Sequence, residues 1–227
     1  MRSAAPAAIV AVLLVASALA QDGVPLVREE VTTPWGSQGV VVRPAGAGRF
    51  PAVLHLHGSG DVVANNVAIL EIFARAGYVA MDVEYRQNGP GANDLQDVTE
   101  ILAYLKRLRF VKADTIGLNG FSRGARNALR LASRERVLAV SAIAARSSGG
   151  PSPTILEDAD RLKIPILLQH GTDDPGVPYT DSVLLERRLK SLGRKVELVT
   201  YKGAGHNDLP WEQVYTRVLD FFGQHLR

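Results

Sequence analysis

The sequence predicts an α/β fold: a mostly parallel sheet of eight strands, opened by an antiparallel N-terminal strand, with helices on both faces. Three observations predict it. Short apolar runs alternate along the chain with stretches whose apolar residues recur at helical spacing. Clusters of Gly, Pro, Ser and Asn separate the two kinds of segment. The first two strand-like runs lie too close together for a crossover helix, so they pair as a hairpin.

Taken in order, Leu26–Val31 and Gly39–Val42 read as strands around a Pro34-Trp35-Gly36 turn. Ala52–Leu56 is an apolar run that ends in His57-Gly58-Ser59-Gly60. In Asn66–Arg75 the residues Val67, Ile69, Leu70, Ile72 and Phe73 have helical spacing, and Gly77 caps the helix. Tyr78–Val83 returns to strand, and Gln87–Asn93 is rich in turn formers. Asp94–Leu108 puts Leu95, Val98, Ile101, Leu102 and Leu105 on one helical face. Thr115–Leu118 is a strand, Arg123–Ser133 a helix and Val137–Ala144 a strand. Arg146–Pro153 is a Ser/Gly/Pro-rich loop. Ile164–Leu168 is a strand, Asp181–Leu192 a helix, Val196–Tyr201 a strand and Trp211–His225 a closing helix. No repeat or long linker interrupts the pattern, so residues 21–227 are expected to form one domain.

The first twenty residues have a different character. Arg2 supplies a positive start, Ala7–Val15 is apolar, and Ala18-Leu19-Ala20 is a small-x-small cleavage site before Gln21. That is the pattern of an export signal, so a secreted or periplasmic protein is expected. A retained anchor is the alternative, but the run falls short of the ~20 apolar residues of a membrane span. The full chain of 227 residues is 46% hydrophobic and 22% charged with net charge +3, which suits a globular domain. Its cations are dispersed, without the basic face of a nucleic-acid binder. There is no Cys, which excludes thiolate nucleophiles, disulfides and Cys-ligated metals. No metal or cofactor is expected.

In open α/β sheets ligands bind beyond the carboxyl ends of the strands. Four loops there carry chemistry. Gly120-Phe121-Ser122-Arg123-Gly124 joins a strand to a helix; such a tight turn pushes the central hydroxyl out of the sheet edge. His57-Gly58-Ser59-Gly60 lets backbone N–H groups approach a developing oxyanion, with the amides of Ser59 and Arg123 as expected donors. His170-Gly171-Thr172-Asp173-Asp174 offers two carboxylates, either of which could orient an imidazole. Gly203-Ala204-Gly205-His206-Asn207-Asp208 offers His206 as the base a Ser hydroxyl needs. The other histidines suit that role less: His55 lies inside a strand, His57 and His170 begin glycine turns, and His225 is in the tail. The resulting order is nucleophile, acid, base.

With those residues in view, the chain resembles the dienelactone hydrolase and prolyl-oligopeptidase-like branch of the α/β-hydrolases, from about residue 50 to the C-terminus. The carriers are His57-Gly58-x-Gly60, Gly120-x-Ser122-x-Gly124, His170-Gly171-x-x-Asp174-x-x-Val177-Pro178 and Gly205-His206. The resemblance implies the α/β-hydrolase fold and a triad of Ser122, Asp174 and His206, with Asp174 rather than Asp173 as the acid. Two departures limit it. Dienelactone hydrolases use a Cys nucleophile, and prolyl oligopeptidases carry a propeller, so neither specific activity transfers.

The expected reaction is hydrolysis of a small-molecule ester through an acyl-enzyme. Amide, peptide or lactone cleavage and a non-catalytic binding role are the alternatives. The fold builds its lid after the sixth strand, and here that segment runs only from Arg146 to about Arg161, so an open site is expected. Tyr85 and Arg86 are candidates to line it, and Arg86 and Arg146 would favour an acidic substrate.

Overall fold

The structure, a computed structural model, describes residues 23–86, 94–149 and 153–226. The expected leader (1–20) and the turn-rich segment 87–93 lie outside the described residues, as does part of the loop after the sixth strand. The strands are β1 (Leu26–Thr32), β2 (Gln38–Pro44), β3 (Phe50–Leu56), β4 (Val79–Val83), β5 (Val111–Phe121), β6 (Ala139–Ile143), β7 (Ile166–Gly171) and β8 (Val196–Tyr201). The helices are α1 (Val63–Arg75), α2 (Asp94–Arg107), α3 (Arg123–Ala132), α4 (Tyr179–Ser191) and α5 (Trp211–His225).

All eight strands form one sheet in the order β1-β2-β4-β3-β5-β6-β7-β8. β1–β2 and β2–β4 are antiparallel, and every pair from β4 to β8 is parallel. This is the predicted sheet. Helices α2, α3 and α4 bury Val98, Leu105, Leu129 and Leu185 against one face; α1 and α5 bury Phe73, Tyr215 and Phe222 against the other. Covered on both sides, β4, β6 and β7 are buried along their whole length, which is why they read as continuous apolar runs. Edge strand β8 is instead half-buried, with Glu197 and Thr200 exposed. Among the described residues no helix is long and apolar enough to cross a membrane.

Several ends differ from expectation for local reasons. α1 begins three residues before Asn66, because Glu84 Oε1 accepts the Val63 amide (2.7 Å) and Asp61 takes the Val62 amide (2.9 Å). Gly77, at φ +93°, closes it: the Tyr78 amide reaches back to Phe73 O at 3.1 Å. β5 starts early, at Val111 opposite Phe50, and runs on to Phe121. β7 extends through His170 and Gly171, so His170 is a strand residue and not the start of a turn. β6 ends at Ile143, because Ala144 turns to φ +51°.

Candidate active site

Ser122 stands between β5 and α3 at φ +54° and ψ −115°, a region that L side chains avoid. Two approaches hold it there. A Cβ at Gly120 would collide with the Gly124 carbonyl, and a Cβ at Gly124 would collide with the Leu56 carbonyl at the end of β3. Only glycine lets α3 turn back that closely. The Ser122 amide bonds to Ile143 O (2.8 Å), which ties the turn to β6. Ser122 thereby occupies the N-cap position of α3, at the positive end of its dipole.

His206 meets this hydroxyl. Its Nε2 lies 3.0 Å from Ser122 Oγ, and its Nδ1 lies 2.6 Å from Asp174 Oδ2. The carboxylate that meets His206 is therefore that of Asp174; Asp173 is exposed and receives the Thr172 hydroxyl at 2.7 Å. Asp174 Oδ1 accepts the amides of Gly176 (2.8 Å) and Val177 (2.7 Å). Burial of Asp174 works against its charge, but the Val177 amide, His206 and the Gly176 amide outweigh it and hold the carboxyl below its ordinary range.

The loops bearing Asp174 and His206 are stitched together by backbone. The Asp173 amide donates to Ala204 O (3.0 Å), the Thr172 amide to Tyr201 O (3.0 Å), and the Gly203 amide to Thr172 Oγ1 (2.8 Å). Trp211 Nε1 donates to Asn207 O (3.2 Å), and the Phe121 ring packs 4.9 Å from the His206 ring. Acid and base are thus placed by a shared scaffold that α5 closes from behind.

The remaining sequence candidates divide. A Cβ at Gly58 would stand 3.7 Å from Ser122 Cβ, so the His57–Gly60 loop runs beside the nucleophile position, and Ser59 is in its exposed turn. Arg123 opens α3; its side chain points away to Asp94 (2.5 and 3.0 Å) and lies over the Tyr85 ring. Tyr85 does not face the opening. It is 4% exposed, and its hydroxyl donates to His57 O (3.0 Å), so it props the Gly58 loop from beneath. Arg86 is drawn off by Asp97 (2.5 Å) and Glu100 (2.8 Å) on α2. Expecting these two in the wall overlooked the carboxylates of α2, which claim Arg86. Arg146 is exposed and donates to Gly176 O (2.8 Å); Gly176 itself abuts both Asp174 and His206.

Sequence reasoning missed a buried pair under the Gly58 loop. His57 Nδ1 lies 2.9 Å from Asp82 Oδ1, with both side chains fully buried. Burial disfavours the His57 cation, yet the charge and hydrogen bond of Asp82 overcome it and raise its pKa above 6.5. One signal was available: Asp82 stands inside the wholly buried strand Val79–Val83, and a carboxylate there needs a partner. Past β6, Ile155, Ala159 and Leu162 tuck into the core, and Asp181 takes the Ser148 amide (2.7 Å), so the described part of that segment builds no cap.

The profile of the phospholipase/carboxylesterase family matches residues 91–225. A Bradyrhizobium protein named as a probable 2-oxo-3-(5-oxofuran-2-ylidene)propanoate lactonase is 29% identical over 73% of this chain and 76% of its own. The Bacillus subtilis peptidase YtmA, itself uncharacterized, is 27% identical over 77% of this chain and 83% of its own. A Klebsiella pneumoniae crystal structure, provisionally classed as a dienelactone hydrolase, superposes with a TM-score of 0.79 at 20% identity, covering 88% of this chain and 99% of that one. The last likeness speaks for the fold. With the profile spanning more than half of its residues, the chain belongs to the phospholipase/carboxylesterase family of hydrolases, built on the α/β-hydrolase fold.

Proposed function

We propose that this protein is a serine hydrolase that cleaves carboxylic esters of small or exposed substrates through an acyl-enzyme. The observation that carries this reading is the unbroken run from Ser122 Oγ through His206 to Asp174, at 3.0 and 2.6 Å, beside a glycine loop. His206 Nε2 takes the Ser122 proton as Oγ attacks the ester carbonyl. Asp174 holds the imidazole in the Nδ1–H tautomer and stabilises its cation. The amides of Ser59 and Arg123 receive the oxyanion; one such donor contributes about 3 kcal/mol to lowering the barrier. His206 then returns the proton to the leaving alcohol and activates the water that frees the acid.

The short segment after β6 supports an open site, hence short acyl chains over long ones. Exposed Arg146 beside the Asp174 loop favours a substrate that carries a carboxylate. A lactone is the second reading. It is supported by the Bradyrhizobium relative, whose name specifies an anionic lactone. Residues 1–20 are proposed to direct export and to be removed, leaving Gln21 as the N-terminus. The test is turnover on a panel of short activated esters, carboxylated lactones and aminoacyl amides by the parent and by Ser122→Ala. Esters turned over fastest by the parent, and not by the variant, is the expected outcome. Undiminished turnover by the variant, or faster release from amides, contradicts the reading.

A further inference from the structure

A second histidine touches the same carboxylate. His170, on β7, is fully buried, and its Nε2 lies 3.2 Å from Asp174 Oδ2 and 3.0 Å from Val177 O. Both neighbours are acceptors, so Nε2 carries a proton. Burial pushes the ring's pKa below 6.5 and keeps it neutral, so Nδ1 is bare. It accepts the hydroxyl of Ser182 on α4, 2.7 Å away. A single tautomer therefore satisfies the whole ring. Asp174 Oδ2 in turn receives two imidazole N–H groups, from His206 and His170, while Oδ1 receives two amides.

We propose that His170 is a positioning residue: its Nε2–H holds Asp174 Oδ2 on His206 Nδ1 and shares the carboxylate's charge with it, with Ser182 locking the tautomer. This rests on reading Ser122, His206 and Asp174 as the working relay. A carboxylate that serves two imidazoles pulls less on each. Without His170, the full charge of Oδ2 falls on His206, whose cation is then better stabilised, while the carboxylate is less firmly oriented. The first change retains the proton on the base to higher pH; the second slows proton transfer. The titratable groups around His170 are Asp174 on the loop after β7, His206 on the loop after β8 and Tyr179 on α4, its ring 5.9 Å away edge-on. Asp181, beside Ser182, is committed to Ser147 and Ser148.

The experiment measures kcat and KM against pH for the parent, His170→Leu, His170→Gln and Ser182→Ala, each normalised to active sites titrated with a fluorophosphonate. His170→Leu should lower kcat about tenfold with KM little changed, as misplacing an acid does, and should move the acid limb of kcat/KM to higher pH. His170→Gln, which returns an N–H donor near the Nε2 position, should restore most of both. Ser182→Ala should shift both in the direction of His170→Leu, but less, and reports even if His170→Leu does not fold. A purely structural His170 would lower only the number of titratable sites. An unmoved acid limb together with kcat per site within twofold of the parent, in all three variants, overturns the inference and leaves the relay untouched. Undiminished turnover by Ser122→Ala overturns the relay reading itself.

Discussion

Two of the histidine–carboxylate pairs at the carboxyl edge of the sheet bear comparison, His57 with Asp82 and His206 with Asp174. Their inner bonds are alike, at 2.9 and 2.6 Å. Their outer nitrogens differ. His57 is sealed, and its Nε2 has no hydrogen-bond partner among the described residues. His206 is 18% exposed, and its Nε2 meets Ser122. The strands hold the first pair under the Gly58 loop, with Tyr85 donating to the His57 carbonyl. Two stitched loops hold the second over the nucleophile position. A His–Asp pair thus becomes a candidate base through what its free nitrogen can reach, and a buried pair of the same chemistry is a strut.

The comparison can be broken by substitution, and the largest effect belongs to the exposed pair. Ser122→Ala should cut kcat about a millionfold, since removing the nucleophile costs as much as removing the whole relay. Asp174→Asn should cost about ten-thousandfold by presenting the wrong tautomer of His206, while Asp173→Asn should stay within about twofold. Equal losses from the two would show that the acid is misassigned. In the sealed pair, Asp82→Asn should lose about 3 kcal/mol of stability in urea unfolding, because it strands a buried partner. Turnover per titrated site should then fall far less than in Asp174→Asn; a comparable fall would make His57 part of the chemistry.

The smallest effect is in pH. The raised pKa of His57 means that the folded state binds its proton more tightly than the unfolded chain does. Its contribution is complete below pH 6.5 and is lost as pH rises through the folded value. Asp174 has the opposite sign: its contribution is present above the ordinary carboxylate value of 3.8 and is lost as pH falls through its lowered one. Melting temperatures of the parent should therefore decline as pH rises above 6.5 and through the folded value of His57, and Asp82→Asn should flatten that decline. An identical slope in both proteins would remove this pair as the source.

The same contrast explains what could be read from the sequence. Ser122, Asp174 and His206 stand in glycine-rich loops after strands, where local composition signals an unusual backbone and the strand order signals a shared edge. The sheet and its helices followed from periodicity, and the ends that moved did so where a local backbone turn intervened, as Ala144 does after β6, or a distant group, as Glu84 does at α1. The sealed pair joins residues 25 apart through packing, for which no local pattern exists; only the acid within Val79–Val83 hinted at it. Tyr85 and Arg86 follow a strand at the correct edge, but position along the chain does not say which way a side chain turns. Asp97 and Glu100 decide that for Arg86, and the His57 carbonyl for Tyr85.

The central claim is that Ser122 is the nucleophile, activated by His206. The most direct measurement is the intact mass of the protein after a fluorophosphonate, followed by peptide mapping, for the parent and Ser122→Ala. One adduct on the peptide holding Gly120–Gly124, formed as esterase activity disappears and absent from the variant, is the predicted result. Loss of activity with the adduct on another residue, or full activity with Ser122 labelled, would contradict it.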